Sequence, residues 1–239
     1  MKLLITAKQH KLRKQLHRLT KIKRHKHHHL IHNLHKKHRI SKKTLFYVKE
    51  YGPHSHIART IIKESIKILL FASVLSSFGG LALEQIKALF IQIVPLIILL
   101  PALNDMIGDY GSIISSRFST MLYEGKVKRD WKTDRELKKL FLQIFTIAIV
   151  MVILSVIISL FISSFTNYKV TTAIAGKIMF IAVLDVALLV SILFLVAIVA
   201  GLYFYNKQED PNNFLIPITT SIADFGNMIL LAVLVLLLF

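Results

Sequence analysis

Five stretches of this chain are almost wholly apolar, and short polar segments separate them. The stretches are residues 63–83, 87–123, 140–165, 177–205 and 214–239. Each reaches the ~20 residues that a helix needs to cross a hydrocarbon core. The pattern predicts an all-α, polytopic membrane protein with five transmembrane helices. Glu84, Gln85 and Lys87 mark the first turn, residues 124–139 form a hydrophilic connection, residues 166–176 a small loop and residues 206–213 a polar turn. The second stretch is too long for one simple span: its 37 residues would extend about 55 Å at ~1.5 Å per residue. Proline interrupts helical hydrogen bonding, and Pro95 and Pro101 lie in it. This second helix is therefore expected to be kinked or broken near residues 101–111, or to project beyond the bilayer.

Two of the stretches carry polar groups on one side only. With about 100° per residue, Asp105, Asp109, Ser112, Ser116 and Ser119 fall on one face of the second helix. Ile107, Tyr110, Ile114, Phe118 and Met121 fall on the other. In the fifth, Asn213, Pro217, Thr220, Ser221 and Asn227 share a face with Asp224, which lies near mid-membrane. Ionisable groups at that depth are costly and face a cavity or a partner. The two faces together read as the wall of a watery pathway, with a bound cation compensating Asp224. Asp185, in the fourth stretch, has no such polar company; a pathway role and a paired structural carboxylate are both open for it. Arg117 is expected to pair with an acid or a phosphate rather than to touch a cation. Residues 76–80, rich in serine and glycine, are expected to let two helices approach closely.

Charge changes the picture at the N-terminus. The chain has a net charge of +18, and residues 1–50 hold sixteen Lys and Arg against one acid, Glu50. All eleven histidines precede residue 57. Residues 1–56 thus read as a basic, His-rich cytoplasmic tail and residues 57–239 as the transmembrane domain. Leu12, Leu16 and Leu19 allow an amphipathic helix in the tail. Its expected partner is the anionic lipid head groups of the inner leaflet, at about 1 kcal/mol per basic residue; no specific nucleic acid is expected. His25, His27, His28, His29, His32, His35 and His38 offer metal-ligand spacings, opposed by the surrounding lysines and arginines. Residues 1–5 are too short for a signal-peptide core. The positive-inside rule places the tail and residues 124–139, with seven Lys and Arg, in the cytoplasm and the C-terminus outside, in the plasma membrane. Cysteine is absent, which excludes disulfides and thiolate metal sites.

Residues 101–120 contain Pro-Ala-Leu, then Gly108-Asp109, then Ser-Arg-Phe-Ser-Thr. Residues 210–224 contain Asp-Pro-Asn-Asn, then Ile216-Pro217, Thr220 and Asp224. These motifs resemble the second- and fifth-helix elements of MgtE-related magnesium transporters, in the branch of the eukaryotic solute-carrier magnesium transporters. Residues 76–84 are similar to the end of the family's first helix. Asp109 stands where the family usually has asparagine, and Asn227 where glycine is common. The cytoplasmic magnesium-sensing domains of bacterial MgtE have no counterpart in the sequence. The resemblance implies a five-helix unit pairing as a homodimer about a two-fold axis, with the ion path at the interface. It implies Mg²⁺ as the transported ion, Asp224 flanking it, and Asn104, Asp105, Gly108, Asp109 and Thr220 lining the route; Ser112, Ser116, Ser221 and Asn227 continue the same faces. Mg²⁺ keeps much of its water and prefers oxygen ligands, and the membrane domain has neither thiolate nor imidazole.

Other readings stay open. The ion is another divalent cation such as Co²⁺ or Mn²⁺, or Mg²⁺ exchange is coupled to Na⁺. In a different class, the chain is a membrane scaffold that recruits RNA or anionic partners through its tail. No nucleophile–base pair, phosphate loop or zinc motif supports an enzyme.

Overall fold

A computed structural model describes residues 15, 29–38, 45, 57–124, 126–127, 134–166, 168–207 and 209–239. Among these there are six helices and no strand: α1 (His29–His38), α2 (Ile57–Gln92), α3 (Val94–Tyr123), α4 (Arg135–Ser164), α5 (Thr172–Asn206) and α6 (Pro211–Leu238). The last five are long and apolar enough to cross a membrane, so this is an integral membrane protein. Most of the basic tail, including Leu12, Leu16 and Leu19, lies outside the described residues.

The helix boundaries follow local chemistry more than hydropathy. Glu84 and Lys87, expected at a turn, lie inside α2, where they form an i,i+3 pair at 3.3 Å. The chain breaks at Ile93 instead, with φ −113° and ψ 76°. Pro95 follows within the first turn of α3, where its missing N–H costs nothing and its fixed φ suits helix entry. Pro101, by contrast, sits inside an otherwise continuous α3. The interruption of the 87–123 stretch therefore falls at Ile93, not at residues 101–111. Asp134 begins α4 by accepting from the backbone N–H of Glu136 (3.0 Å) and Leu137 (3.4 Å). Thr171 does the same for α5 through Ile174 N (3.4 Å). Asp210 starts α6 by accepting from Asn212 N (3.1 Å), with Pro211 at the first helical position. The Asp-Pro pair is thus a helix start, a preferred arrangement at N-termini.

α3, α5 and α6 form the centre. Leu99, Leu103, Ile107, Ile114 and Phe118 of α3 pack against Ile181, Val186, Val190 and Leu193 of α5 and Leu215, Ala223 and Leu231 of α6, all at most 3% exposed. Two glycines set the closeness of α5 to its neighbours. A Cβ at Gly201 would lie 2.6 Å from the Phe118 ring, and one at Gly226 would lie 2.7 Å from Leu189 Cδ2. α4 covers α3 and α5 and exposes Leu142, Val150, Leu154, Ile158 and Phe161 outward. α2 lies along α6 with little contact to α3. Its Ile62, Leu70, Phe71, Phe78 and Leu81 face away from the bundle, as a lipid-facing helix requires.

α2 runs parallel to α6 in a constant register. Ser65 meets Asn213 and Ser76 meets Asp224, both separated by 148 in sequence. Gly79 allows this approach: a Cβ there would be 2.8 Å from Met228 Sδ and 3.2 Å from Phe225 Cα. The serine- and glycine-rich segment does bring two helices together.

A candidate cation site between α2, α3 and α6

Asp224 stands on α6 where α2 and α3 flank it. One carboxylate oxygen accepts from Asn104 Nδ2 of α3 at 2.9 Å, and the other from Ser76 Oγ of α2 at 3.2 Å. Asn104 Oδ1 accepts in turn from Asn227 Nδ2 at 3.1 Å. Among the described residues, no lysine, arginine or histidine pairs with Asp224. A half-buried carboxylate is thus oriented by neutral donors from two other helices and carries no counter-charge. Removing a carboxylate from water without one is expensive, so the geometry suits a group that receives a mobile cation.

Toward the N-terminal end of α6, a cleft of about 500 Å³ opens between α2 and α6. It is lined by Leu69, Ala72, Ser73, Ser76, Ser77, Pro217, Thr220 and Ser221. The α6 hydroxyls here are turned onto their own helix. Thr220 Oγ1 donates to Ile216 O (2.9 Å), and Ser221 Oγ to Pro217 O (2.6 Å). Their protons being engaged, these oxygens present lone pairs outward, as acceptors for water or a hydrated cation.

On α3 the apolar face predicted from the sequence is the packed one: Ile107, Tyr110, Ile114 and Phe118 are buried. Asp105, Asp109 and Ser116 are exposed on the outside of this spanning helix and Ser112 is half-buried. Neither Asp105 nor Asp109 has a partner among the described residues. Gly108 between them has open space where a Cβ would be, whereas a Cβ at Gly111, on the packed side, would lie 3.1 Å from Thr219 Cβ. Ser119 departs from expectation. It is fully buried and its hydroxyl lacks a partner; it lies one helical turn beyond Ser115, which is itself packed against Thr219 of α6. Arg117 is exposed and pairs with no acid among the described residues.

The structure thus joins Asp224, Asn104 and Asn227 directly and places Thr220 and Ser221 beside them. It leaves Asp105 and Asp109 on an open face. Asp185 joins neither group: it is fully buried on α5 and neither of its oxygens is hydrogen-bonded. Ser76, read from the sequence as a packing residue, donates a hydrogen bond to the Asp224 carboxylate. Ser115 and Thr219 form a further buried pair at 3.0 Å; Thr219 gives its proton to Leu215 O, so Ser115 is the donor. Their small size beside Gly111 was the only sequence signal for that contact. Among the described residues, no three His, Asp or Glu side chains converge as a closed metal cage.

A family model, described as MgtE, divalent cation transporter, matches residues 100–234. The chain belongs to this family. The matched stretch contains Asn104, Asp105, Asp109, Thr220 and Asp224 and most of α3 to α6; α2 and its Ser76 lie outside it. No curated protein and no solved structure matches the chain. As an MgtE-family divalent cation transporter, the protein has two features that bear on ions: the oriented Asp224 and the exposed carboxylates of α3.

Proposed function

We propose that the protein moves Mg²⁺ across the plasma membrane along a path lined by α3 and α6, at a two-fold interface between two copies. The observation that carries this reading is the pair Asp105 and Asp109, open on the outer face of a membrane-spanning helix. Carboxylates facing lipid are strongly disfavoured, and a second copy enclosing a watery path removes that penalty. Asp224, Asn104 and Thr220 would then meet the ion or its water from one copy and their symmetry mates from the other. Mg²⁺ binds few protein oxygens and retains water, which suits carboxylate, amide and hydroxyl groups without a closed cage. The absence of Cys and of His beyond residue 56 removes the ligands that favour zinc or copper. The basic tail and the basic residues 124–139 support a cytoplasmic N-terminus. The cleft beside Thr220 would then open on the cytoplasmic half.

The test is Mg²⁺ flux into liposomes carrying the parent protein or Asp224→Ala. Loss of flux in the variant is expected; equal flux would remove Asp224 from the path. Competition by Co²⁺ and Mn²⁺, and runs with and without a Na⁺ gradient, decide between Mg²⁺ and the other transport readings. Deleting residues 1–53 separates transport, which should persist, from a scaffold role, which should not.

A further inference from the structure

The amides beside Asp224 form a chain with one direction. An ionised carboxylate only accepts, so Asn104 must turn Nδ2 toward Asp224 and Oδ1 toward Asn227, as found. Asn227 then turns its own Oδ1 away. That oxygen is fully buried and nothing donates to it. Both oxygens of Asp185 are in the same condition. Three buried acceptors without a donor are costly in an apolar interior, and the helix register brings them to neighbouring levels. Leu189 of α5 packs on Gly226 of α6. Asp185 lies one turn before Leu189 on the antiparallel α5, and Asn227 follows Gly226. Their backbones are therefore separated by only about 4–5 Å along the bundle axis at ~1.5 Å per residue.

We propose that Asp185 is a proton-binding site whose O–H is donated to Asn227 Oδ1, and that this proton is released when a divalent cation binds Asp224. The second half rests on the reading of Asp224 as the cation's carboxylate. With Asp185 protonated, every donor in the chain Asp185–Asn227–Asn104 points toward Asp224. When the proton leaves, the Asp185 carboxylate draws Asn227 Nδ2 to itself. Asn104 loses that donor and turns over in turn, presenting Oδ1 rather than Nδ2 beside Asp224. The site then offers a cation two oxygens and no competing N–H. The exchange balances: the O–H bond of Asp185 breaks and its proton leaves the protein for bulk water, while the cation is bound by the Asp224 carboxylate and the turned Asn104 Oδ1.

Among the described residues, the charged groups on the helices packed against α5 are exposed or already hydrogen-bonded. The helices packed on α5 carry Asp105, Asp109 and Arg117 (α3), Arg135, Glu136, Lys138 and Lys139 (α4) and Asp224 (α6). The α3 and α4 groups are exposed, and Asp224 is held by Asn104 and Ser76. Tyr110 of α3 is buried but lies about two turns from Asn104 along that helix. On α5 itself, Lys177 donates to Leu238 O at 2.6 Å.

Infrared difference spectroscopy of the purified full chain tests this. Mg²⁺-free parent protein should show the carbonyl stretch of a protonated carboxylic acid that Asp185→Asn lacks. Asn227→Leu should shift that band, which covers the case of an Asp185→Asn variant that folds poorly. Added Mg²⁺ should abolish the band, with release of about one proton per chain to a pH indicator. Absence of the band from the parent, or its persistence in Asp185→Asn, overturns the proton site. A band unchanged by Mg²⁺ in protein that calorimetry shows to bind Mg²⁺ overturns the coupling. Failure to bind Mg²⁺ at all strikes the transport reading instead, since the band in metal-free protein does not depend on it.

Discussion

The hydroxyl of Ser65 donates to the backbone carbonyl of Asn213 at 3.4 Å, and that carbonyl is the one whose helical donor Pro217 removes. A proline inside a helix leaves the carbonyl four residues back without its N–H, and within a membrane only a neighbouring side chain or water can replace it. α2 thus repairs α6 at the same register at which, three turns on, Ser76 reaches Asp224. The proline-containing helix and the oriented carboxylate share one supporting element.

This makes a double-mutant test possible. Ser65→Ala should destabilise the protein by about 0.6 kcal/mol, the average for interhelical hydrogen bonds in membranes. In a Pro217→Ala background the restored N–H at residue 217 serves Asn213 instead. Ser65→Ala should then be close to neutral. Denaturant titration in mixed micelles measures all four proteins, and equal effects in both backgrounds would refute the repair.

Glycine substitutions should separate packing from pathway. Gly201→Ala places a methyl group 2.6 Å from the Phe118 ring and 3.1 Å from Leu215 in the bundle centre. Overpacking of this kind costs about 1–3 kcal/mol. Gly108→Ala meets open space and should not destabilise the protein; on the proposed reading it narrows the route past Asp105 and Asp109. Thermal unfolding in detergent should therefore distinguish Gly201→Ala from the parent but not Gly108→Ala. Flux assays on the folded Gly108→Ala protein should show the loss.

Asn104→Ala removes one of the two donors that hold Asp224 and leaves the Asn227 amide without its acceptor. Transport at low Mg²⁺ should fall about tenfold, equivalent to ~1.4 kcal/mol, with less effect at saturating Mg²⁺. Ser76→Ala, which removes the weaker 3.2 Å bond, should act in the same direction and less strongly. A larger loss in Ser76→Ala than in Asn104→Ala would show that α2, not α3, orients the carboxylate.

The order of these effects shows what a single sequence reveals. Hydropathy disclosed the five spans, and helical periodicity disclosed which residues share a face with Asp224 and, Ser119 apart, with Asp105. Periodicity says nothing about which helix covers a face, so Ser76 and Ser65 are legible only as small residues, and Ser119, on the polar stripe of the wheel, is buried. Charge at Glu84 and Lys87 ended the apolar run without ending the helix, because an i,i+3 pair sustains helical structure. The break came instead at the residue before the first helical turn containing Pro95. Asp210 was visible as part of a motif, and its work as a helix cap required the backbone. Asp185 stood out from its apolar context, and only burial on all sides showed that it is unpaired.

The open face of α3 gives the test of assembly. The chain has no cysteine, so single-cysteine variants report without background. If a two-fold axis runs beside Asp105 and Asp109, Cys at residue 109, 112 or 116 in one copy approaches its own mate in the other, and no such meeting is available to a residue on the lipid-facing side of α4. A disulfide forms only when the two Cα atoms come within about 7 Å, which makes the reaction selective. Mild oxidation of Asp109→Cys, Ser112→Cys and Ser116→Cys in lipid vesicles should yield covalent dimers from at least one of them. Leu154→Cys, exposed on α4, should remain monomeric. Monomers from the whole α3 set, or equal cross-linking from Leu154→Cys, would place the two-fold contact elsewhere. The two carboxylates of α3 would then need another covering than a second copy of the chain.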